Sequence, residues 1–497
     1  MAVAVLRRGS MMLGGSYMGR SLPSVSDLFP ASSSSLVAAP SSSKFRLVTT
    51  AAAQINNNTE YVIVGGGNAA GYAAKAFVDS GVAEGKVCIV GRENVAPYER
   101  PTLTKGYLFP LDKKPPRLPG FHTTVGSGGE RQTPEWYKEH GIEVHHGTTV
   151  TGLNIADHSL TTSSGDTIKY EKLIIATGSG ASMLPEKIGG RLPGVHYIRE
   201  VADADSLIDA LKTAKKVVVI GGGYIGLEVA AALTAWEVDV TLVFPDKHVM
   251  PRLFTPTIAK LYEELLEKNE VKIIKGTSVS KLIPGDSGAV AKVELANGTV
   301  LDADTAVVGI GAKPAAGPWL ESGLKEALGA IEVDGLFRTS SPGIYAIGDV
   351  AAFPLRIYGK RDRVEHVDHA RKSATHCVKS LLQNGLEEYD YLPFFYSRIF
   401  EYPGSTRKVW WQFYGTNVGE VTEVGKFDPK YAAFWVESGR VKGVFLESGS
   451  PEEFALLPKL ARQQPSVNIS DLKAASTVEE ALKLAEAALG RQPVGSA

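Results

Sequence analysis

The segment Tyr61-Val62-Ile63-Val64-Gly65-Gly66-Gly67-Asn68-Ala69-Ala70-Gly71 runs from four apolar residues into a glycine cluster and on into an alanine-rich stretch. A short apolar run bounded by glycine reads as a buried parallel strand, and Ala69 to Val78 reads as a helix. The pattern recurs: Val217-Val218-Val219-Ile220 leads into Gly221-Gly222-Gly223-Tyr224-Ile225-Gly226 and a helical stretch, Leu227 to Trp236. Glycine is needed at such turns because a pyrophosphate must come close to the backbone at the positive end of a helix, where free amide groups meet its charge. One such match is weak; two, each between strand and helix, indicate two nucleotide sites. The first has Ala70 where a third glycine often stands, which the fingerprint tolerates. The second has Gly221, Gly223 and Gly226 in full register.

Each fingerprint calls for an acidic side chain roughly 20 residues on, to grip ribose hydroxyls. In the first unit Glu93 follows the apolar run Lys86 to Val90; its bland alternative is a solvated loop charge. In the second, Phe244 fills the usual position and Asp246 comes two residues later. Asp246 favours a free 2'-hydroxyl, hence NADH, although Arg252 could offset it in favour of NADPH.

With 497 residues, 44% hydrophobic and 22% charged, the chain has ordinary globular composition and room for about three domains. A formal net charge of −1, with both signs mixed, carries no nucleic-acid or membrane-surface footprint. No apolar stretch approaches the roughly 18 residues of a membrane span. The expected partner is a small molecule, with no nucleic acid, no membrane and no obligatory protein partner. Only two cysteines occur, Cys88 and Cys377, far apart, so electrons cannot pass through a dithiol of the chain's own. Cys88 reads as a small core residue.

Residues 1 to 53 are built from Ala, Ser, Arg and Lys, with Asp27 the only acidic residue before Glu60. This is the composition of an organelle transit peptide. The serine runs suit a chloroplast and Arg7-Arg8 a mitochondrion; a plain disordered terminus is the alternative.

Ala96-Pro97-Tyr98-Glu99-Arg100-Pro101-Thr102-Leu103-Thr104-Lys105 predicts a rigid loop followed by a helical turn, with Arg100 and Lys105 placed to meet an anionic phosphate or flavin ring. Leu173 to Gly178 reads as a strand closing the first sheet. Ile344 to Ile347 reads as another, capped by Gly348-Asp349, with Asp349 an acceptor for ribityl hydroxyls. Beyond Glu365-His366-Val367-Asp368-His369-Ala370-Arg371, aromatic segments alternate as strands of an antiparallel sheet do. His366 and His369 lack a third ligand at metal spacing, so no metal is expected, and His366 reads as packing on nicotinamide or capping the following helix.

With these motifs the chain resembles the two-dinucleotide flavoprotein reductases over about 59 to 450. The segments EHVDHARKSA, YDYLPFFYSR and LPGFHTTVGSGGERQTPEWY resemble the organellar monodehydroascorbate reductase family. The resemblance implies an α/β fold: two Rossmann-like dinucleotide-binding domains and a C-terminal α+β domain with an antiparallel sheet. The expected limits are 1–53 transit peptide, 54–200 FAD domain, 201–330 NAD domain, 331–371 FAD domain again and 372–497 interface domain. It implies FAD on Gly65, Gly66, Gly67, Asn68, Glu93, Arg100, Lys105, Asp349 and Val367, with help near Val150 and from Arg199 and Glu200. NADH, or NADPH, would lie on Gly222, Gly223, Tyr224, Ile225, Gly226, Leu227, Glu228, Asp246, Arg252, Gly311, Glu365 and His366. The radical substrate would meet Arg371 and Tyr396. The bland readings are a helix ion pair for Arg371 and a core ring for Tyr396. Glu401 to Trp411 looks longer than in cytosolic relatives, either reshaping substrate access or forming a longer hairpin. Two rivals stand beside this: a ferredoxin or rubredoxin reductase with a docking surface, and a flavin-binding scaffold of the apoptosis-inducing-factor kind.

Overall fold

The computed structural model describes residues 59–113 and 130–490; the expected transit peptide lies outside them. Two parallel five-stranded sheets share one plan. The first is ordered Ile344–Ala346, Lys172–Ile175, Tyr61–Val64, Val87–Val90, Glu143–His145. The second is ordered Val195–His196, Thr305–Val308, Lys216–Ile220, Asp239–Phe244, Lys272–Lys275. In each, three strands in sequence order lead into a three-stranded antiparallel meander, and the chain then returns to the other side of the first strand. The meanders are Val150–Asn154, Ser159–Thr162, Thr167–Lys169 and Val279–Pro284, Val290–Leu295, Val300–Asp302. The central strands are continuous runs of Val and Ile because both faces are covered.

A two-stranded ribbon, Ser179–Ala181 with Ala312–Pro314, links the two units. The third unit is an antiparallel sheet ordered Phe394–Ile399, Val409–Gly415, Arg440–Glu447, Lys430–Glu437, Glu420–Lys426. The helices Pro451–Gln463 and Val478–Ala487 cover it, contributing Leu457, Leu460 and Leu482 to its core. Among the described residues no helix is long and apolar enough to cross a membrane.

Three elements cross the expected limits. The edge strand Val195–His196 already belongs to the second sheet, so that unit begins before 200. Strand Ala330–Glu332 spans the limit at 330/331 and joins the sheet that follows. Helix Val367–Leu382 runs unbroken through 371/372. It buries Val367, Ala370, Ala374, Cys377 and Val378, a stripe at i, i+3, i+4 spacing, and packs on helix Asn68–Asp79 of the first unit. A shift in composition marks where aromatics begin, not where the packed face of a helix ends.

The segment Glu401 to Trp411 is the bend of a hairpin, with its second strand starting at Val409. Arg407 anchors it, paired at 2.9 Å with Glu447, whose side chain is fully buried. Tyr402 meets Thr234 of the second unit at 2.8 Å.

Candidate functional site

A single cavity is lined by residues of all three units. Both fingerprint turns open onto it, Gly66, Gly67 and Asn68 from the first, Tyr224 and Ile225 from the second. Helices Asn68–Asp79 and Tyr224–Leu233 start from Gly67 and Gly223, and neither has a side-chain cap. Their first amide groups therefore remain available to an anion.

The glycines divide by task. Gly65 has φ +148, and a Cβ there would come within 2.2 Å of the Ala176 carbonyl oxygen. Gly221, at φ +122, would meet the Gly309 oxygen at the same distance, and Gly226 the Gly221 oxygen at 1.8 Å. These glycines let strand, turn and helix pack. Around Gly223 nothing lies within 4 Å, and Gly67 faces only the Arg100 side chain, with Nε at 3.2 Å. Gly223 is thus open to a pyrophosphate, and at Gly67 only a cationic side chain stands close, which fits a dinucleotide at each turn.

Beside the first turn, Tyr98 donates to Glu93 at 2.7 Å, and Arg100 pairs with Glu93 while donating to the Arg199 carbonyl at 2.7 Å. Arg100 is fixed by the 3-10 turn Arg100–Thr104, with proline at its start. Asp349 accepts from Ser179 at 2.8 Å and lies 3.5 Å from Arg199. At the second turn Phe244 is 1% exposed, and its ring sits where a Cβ on Gly222 would be, 2.7 Å from Cγ. The core takes that position and leaves Asp246 and Arg252, both exposed, beyond the strand end.

At the centre, Glu228 joins the three units. Its side chain, 3% exposed, accepts from Lys105 at 2.8 Å, Thr104 at 2.6 Å and Ser397 at 2.5 Å. His366 caps helix Val367–Leu382, its Nδ1 accepting from the Asp368 amide at 3.3 Å. Its ring lies 5.0 Å from Phe395 and 5.5 Å from Tyr396, centre to centre. Burial, reinforced by Arg371 and Lys105, pulls His366 down to about 3, so it is neutral. Burial pushes Tyr396 up to about 12, with Arg371 opposing.

Of the expected residues, Gly66, Gly67, Asn68, Arg100, Lys105, Arg199, Tyr224, Ile225, Glu228, Asp349, Glu365, His366, Val367 and Tyr396 line this cavity. Glu93 stands just behind Arg100. Val150 lies in the first meander, Glu200 caps helix Val201–Leu211, and Gly311 accepts from the Ser182 amide; none of these three is in the wall. Arg371 is outside it too, next to the lining residue Ala370. Its Nη2 donates to Glu99 at 3.0 and 3.3 Å, and Glu99 is 3% exposed. The wall also holds Ser179, Ile198, Ala312 and Phe395. Of these, only Phe395 carried a signal, within the aromatic segment YDYLPFFYSR.

The family described as pyridine nucleotide-disulphide oxidoreductase matches residues 59–374, and that described as monodehydroascorbate reductase 3-like, C-terminal domain, matches 392–484. A monodehydroascorbate reductase named chloroplastic/mitochondrial from Arabidopsis thaliana is 64% identical over 422 residues, covering 85% of this chain and 86% of that protein. The chain belongs to the monodehydroascorbate reductase family. A second member, monodehydroascorbate reductase 5, chloroplastic, from Oryza sativa subsp. japonica, is 62% identical over 423 residues, 85% of this chain and 86% of that protein. Among solved structures, the covalent putidaredoxin reductase–putidaredoxin complex superposes with a TM-score of 0.76 at 29% identity, covering 88% of this chain and all of that one. The wider family's name invokes a disulphide, yet Cys88 and Cys377 are both free and buried. Burial raises both thiols, Cys88 to about 12.

Proposed function

We propose that the protein reduces the monodehydroascorbate radical to ascorbate with NADH or NADPH, using bound FAD, in the chloroplast or mitochondrion. One NADH, one proton and two radical anions give NAD⁺ and two ascorbate anions. The observation that carries this reading is that both uncapped, glycine-opened helix N-termini face one cavity. FAD, when bound, supplies the exchange between a two-electron donor and one-electron acceptors. Relatives named for this activity, and for chloroplast or mitochondrion, support substrate and compartment alike.

Gly65, Gly66, Gly67, Asn68, Glu93, Arg100, Arg199 and Asp349 would hold FAD, with help near Val150 and from Glu200. Gly222, Gly223, Tyr224, Ile225, Gly226, Leu227, Asp246, Arg252, Gly311 and Glu365 would hold the nicotinamide nucleotide, Asp246 on a ribose hydroxyl. Lys105, oriented by buried Glu228, presents a fixed cation to the cavity. His366, neutral and packed against three aromatic rings, offers an apolar wall that excludes water. Arg371 and Lys105 keep the local field positive, which draws an anionic radical; Tyr396 supplies a ring and a hydroxyl at the wall. No obligatory protein partner is needed for this chemistry.

The likeness to a reductase solved with putidaredoxin keeps the second reading, a small iron–sulfur protein as acceptor. The match of residues 392–484 to a monodehydroascorbate reductase C-terminal domain weighs against it. The deciding experiment is NADH oxidation by residues 54–497 loaded with FAD, comparing monodehydroascorbate generated from ascorbate with a ferredoxin. Fast turnover with the radical alone is expected; preference for ferredoxin overturns the assignment.

A further inference from the structure

Away from the cavity, strands Val87–Val90 and Glu143–His145 pair in parallel, with Cys88 opposite Glu143 and Val90 opposite His145. Residues two apart on a strand share a face, so Glu143 and His145 stand together beside Cys88 at the sheet edge. One ligand atom from each, the thiol sulfur, a carboxylate oxygen and an imidazole nitrogen, all lie within 4.8 Å of one another. Cys88 is fully buried, while the His145 side chain is 10% exposed and that of Glu143 40%. His145 Nε2 is 3.0 Å from Glu143 Oε1. Yet that buried nitrogen completes no hydrogen bond among the described residues. The 3.0 Å contact therefore pairs the two groups by charge without a hydrogen bond.

We propose that Cys88, Glu143 and His145 bind a divalent cation of the zinc class, with water in the fourth position. A thiolate, an imidazole and a carboxylate form a mixed sulfur, nitrogen and oxygen set that suits zinc, whereas magnesium and calcium prefer oxygen alone. On binding, the Cys88 S–H bond breaks, the sulfur keeps the electron pair and donates it to the cation, and the proton passes to solvent. Nothing is oxidised or reduced. The strands continue into the candidate nucleotide site. The Gly91 amide donates to the His145 carbonyl at 2.9 Å and the Gly147 amide to the Glu93 carbonyl at 3.1 Å. A cation here would clamp the edge strand beside the segment that carries Glu93.

The test is equilibrium dialysis of the FAD-loaded protein against Zn²⁺, with X-ray absorption at the zinc edge. One zinc per chain is expected, with one sulfur neighbour at about 2.3 Å. Loss of an outer-shell partner alone typically costs 10–100-fold in metal affinity, so C88A and H145Q should each weaken binding by at least about 100-fold; Cys377→Ala should not. No zinc uptake by the wild type, zinc without a sulfur neighbour, or full affinity in C88A overturns the site. Circular dichroism of the zinc-free variants separates a lost ligand from a lost fold. Should C88A misfold, H145Q decides, because its side chain stands at the sheet edge.

Discussion

Arg371 shows how one residue can carry two readings. The sequence allows it as substrate cation or as helix ion-pair partner, and its guanidinium is indeed paired with buried Glu99, 272 residues away in the chain. Its Nε is buried and without a hydrogen-bond partner among the described residues. Arg371→Ala is expected to lower kcat/KM for the radical by about 10- to 100-fold, the worth of a charge-assisted hydrogen bond. Flavin reduction by NADH, followed in stopped flow, should be nearly unchanged; equal loss in both half-reactions would make the residue structural. The histidines set an acid limit. His369, fully buried and stacked on Phe353 at 4.5 Å, is pulled by burial from 6.5 to about 4, and His366 to about 3. Both bind fewer protons folded than unfolded, so their contribution is complete above about 6.5 and is lost as pH falls toward these values. Glu447, raised to about 7 by burial, acts in the opposite sense between 4.5 and 7. Replacing His369 by Phe should therefore flatten the fall in unfolding free energy between pH 6.5 and 4 by about one proton's slope, read from urea titrations at several pH values. An unchanged slope would mean that His369 charges in the folded state.

At the scale of the element, the two strand–turn–helix units were legible because their chemistry is local. A run of four or five apolar residues, glycines at set spacing and a helix of small residues all lie within about twenty positions. The same locality makes the second fingerprint testable position by position. Gly226→Ala puts a Cβ 1.8 Å from a backbone oxygen, whereas Gly223→Ala puts one in open space. The first should cost several kcal/mol, as overpacking against backbone does, and lower the melting temperature. The second should fold normally and weaken reduction by NADH, because it crowds only the approach of a phosphate. Equal stability loss in both variants would contradict this division. Element limits were less legible. Helix Val367–Leu382 extends past the expected boundary because its apolar stripe has a partner in Asn68–Asp79, which no neighbouring residue announces.

Over the whole molecule, the chain is interleaved. The first sheet takes its edge strand Ile344–Ala346, and its second covering helix, only after the second unit is complete. Residues 59–330 alone should therefore leave Leu173, Ile174 and Ile175 unpaired on one side. That fragment should neither retain FAD nor unfold cooperatively, as judged by flavin fluorescence and circular dichroism; a stable, flavin-loaded fragment would refute the interdependence. The sequence by itself determined the two nucleotide turns, the absence of a dithiol relay and the aromatic antiparallel unit, since each is written in composition and short spacing. Only the tertiary structure decided that Glu228 binds Lys105 and Ser397 together, that Arg371 leans on Glu99 and that Cys88 stands beside Glu143 and His145. These contacts join residues tens to hundreds of positions apart, and strand register and helix packing, not local pattern, bring such groups within hydrogen-bond or ligand distance.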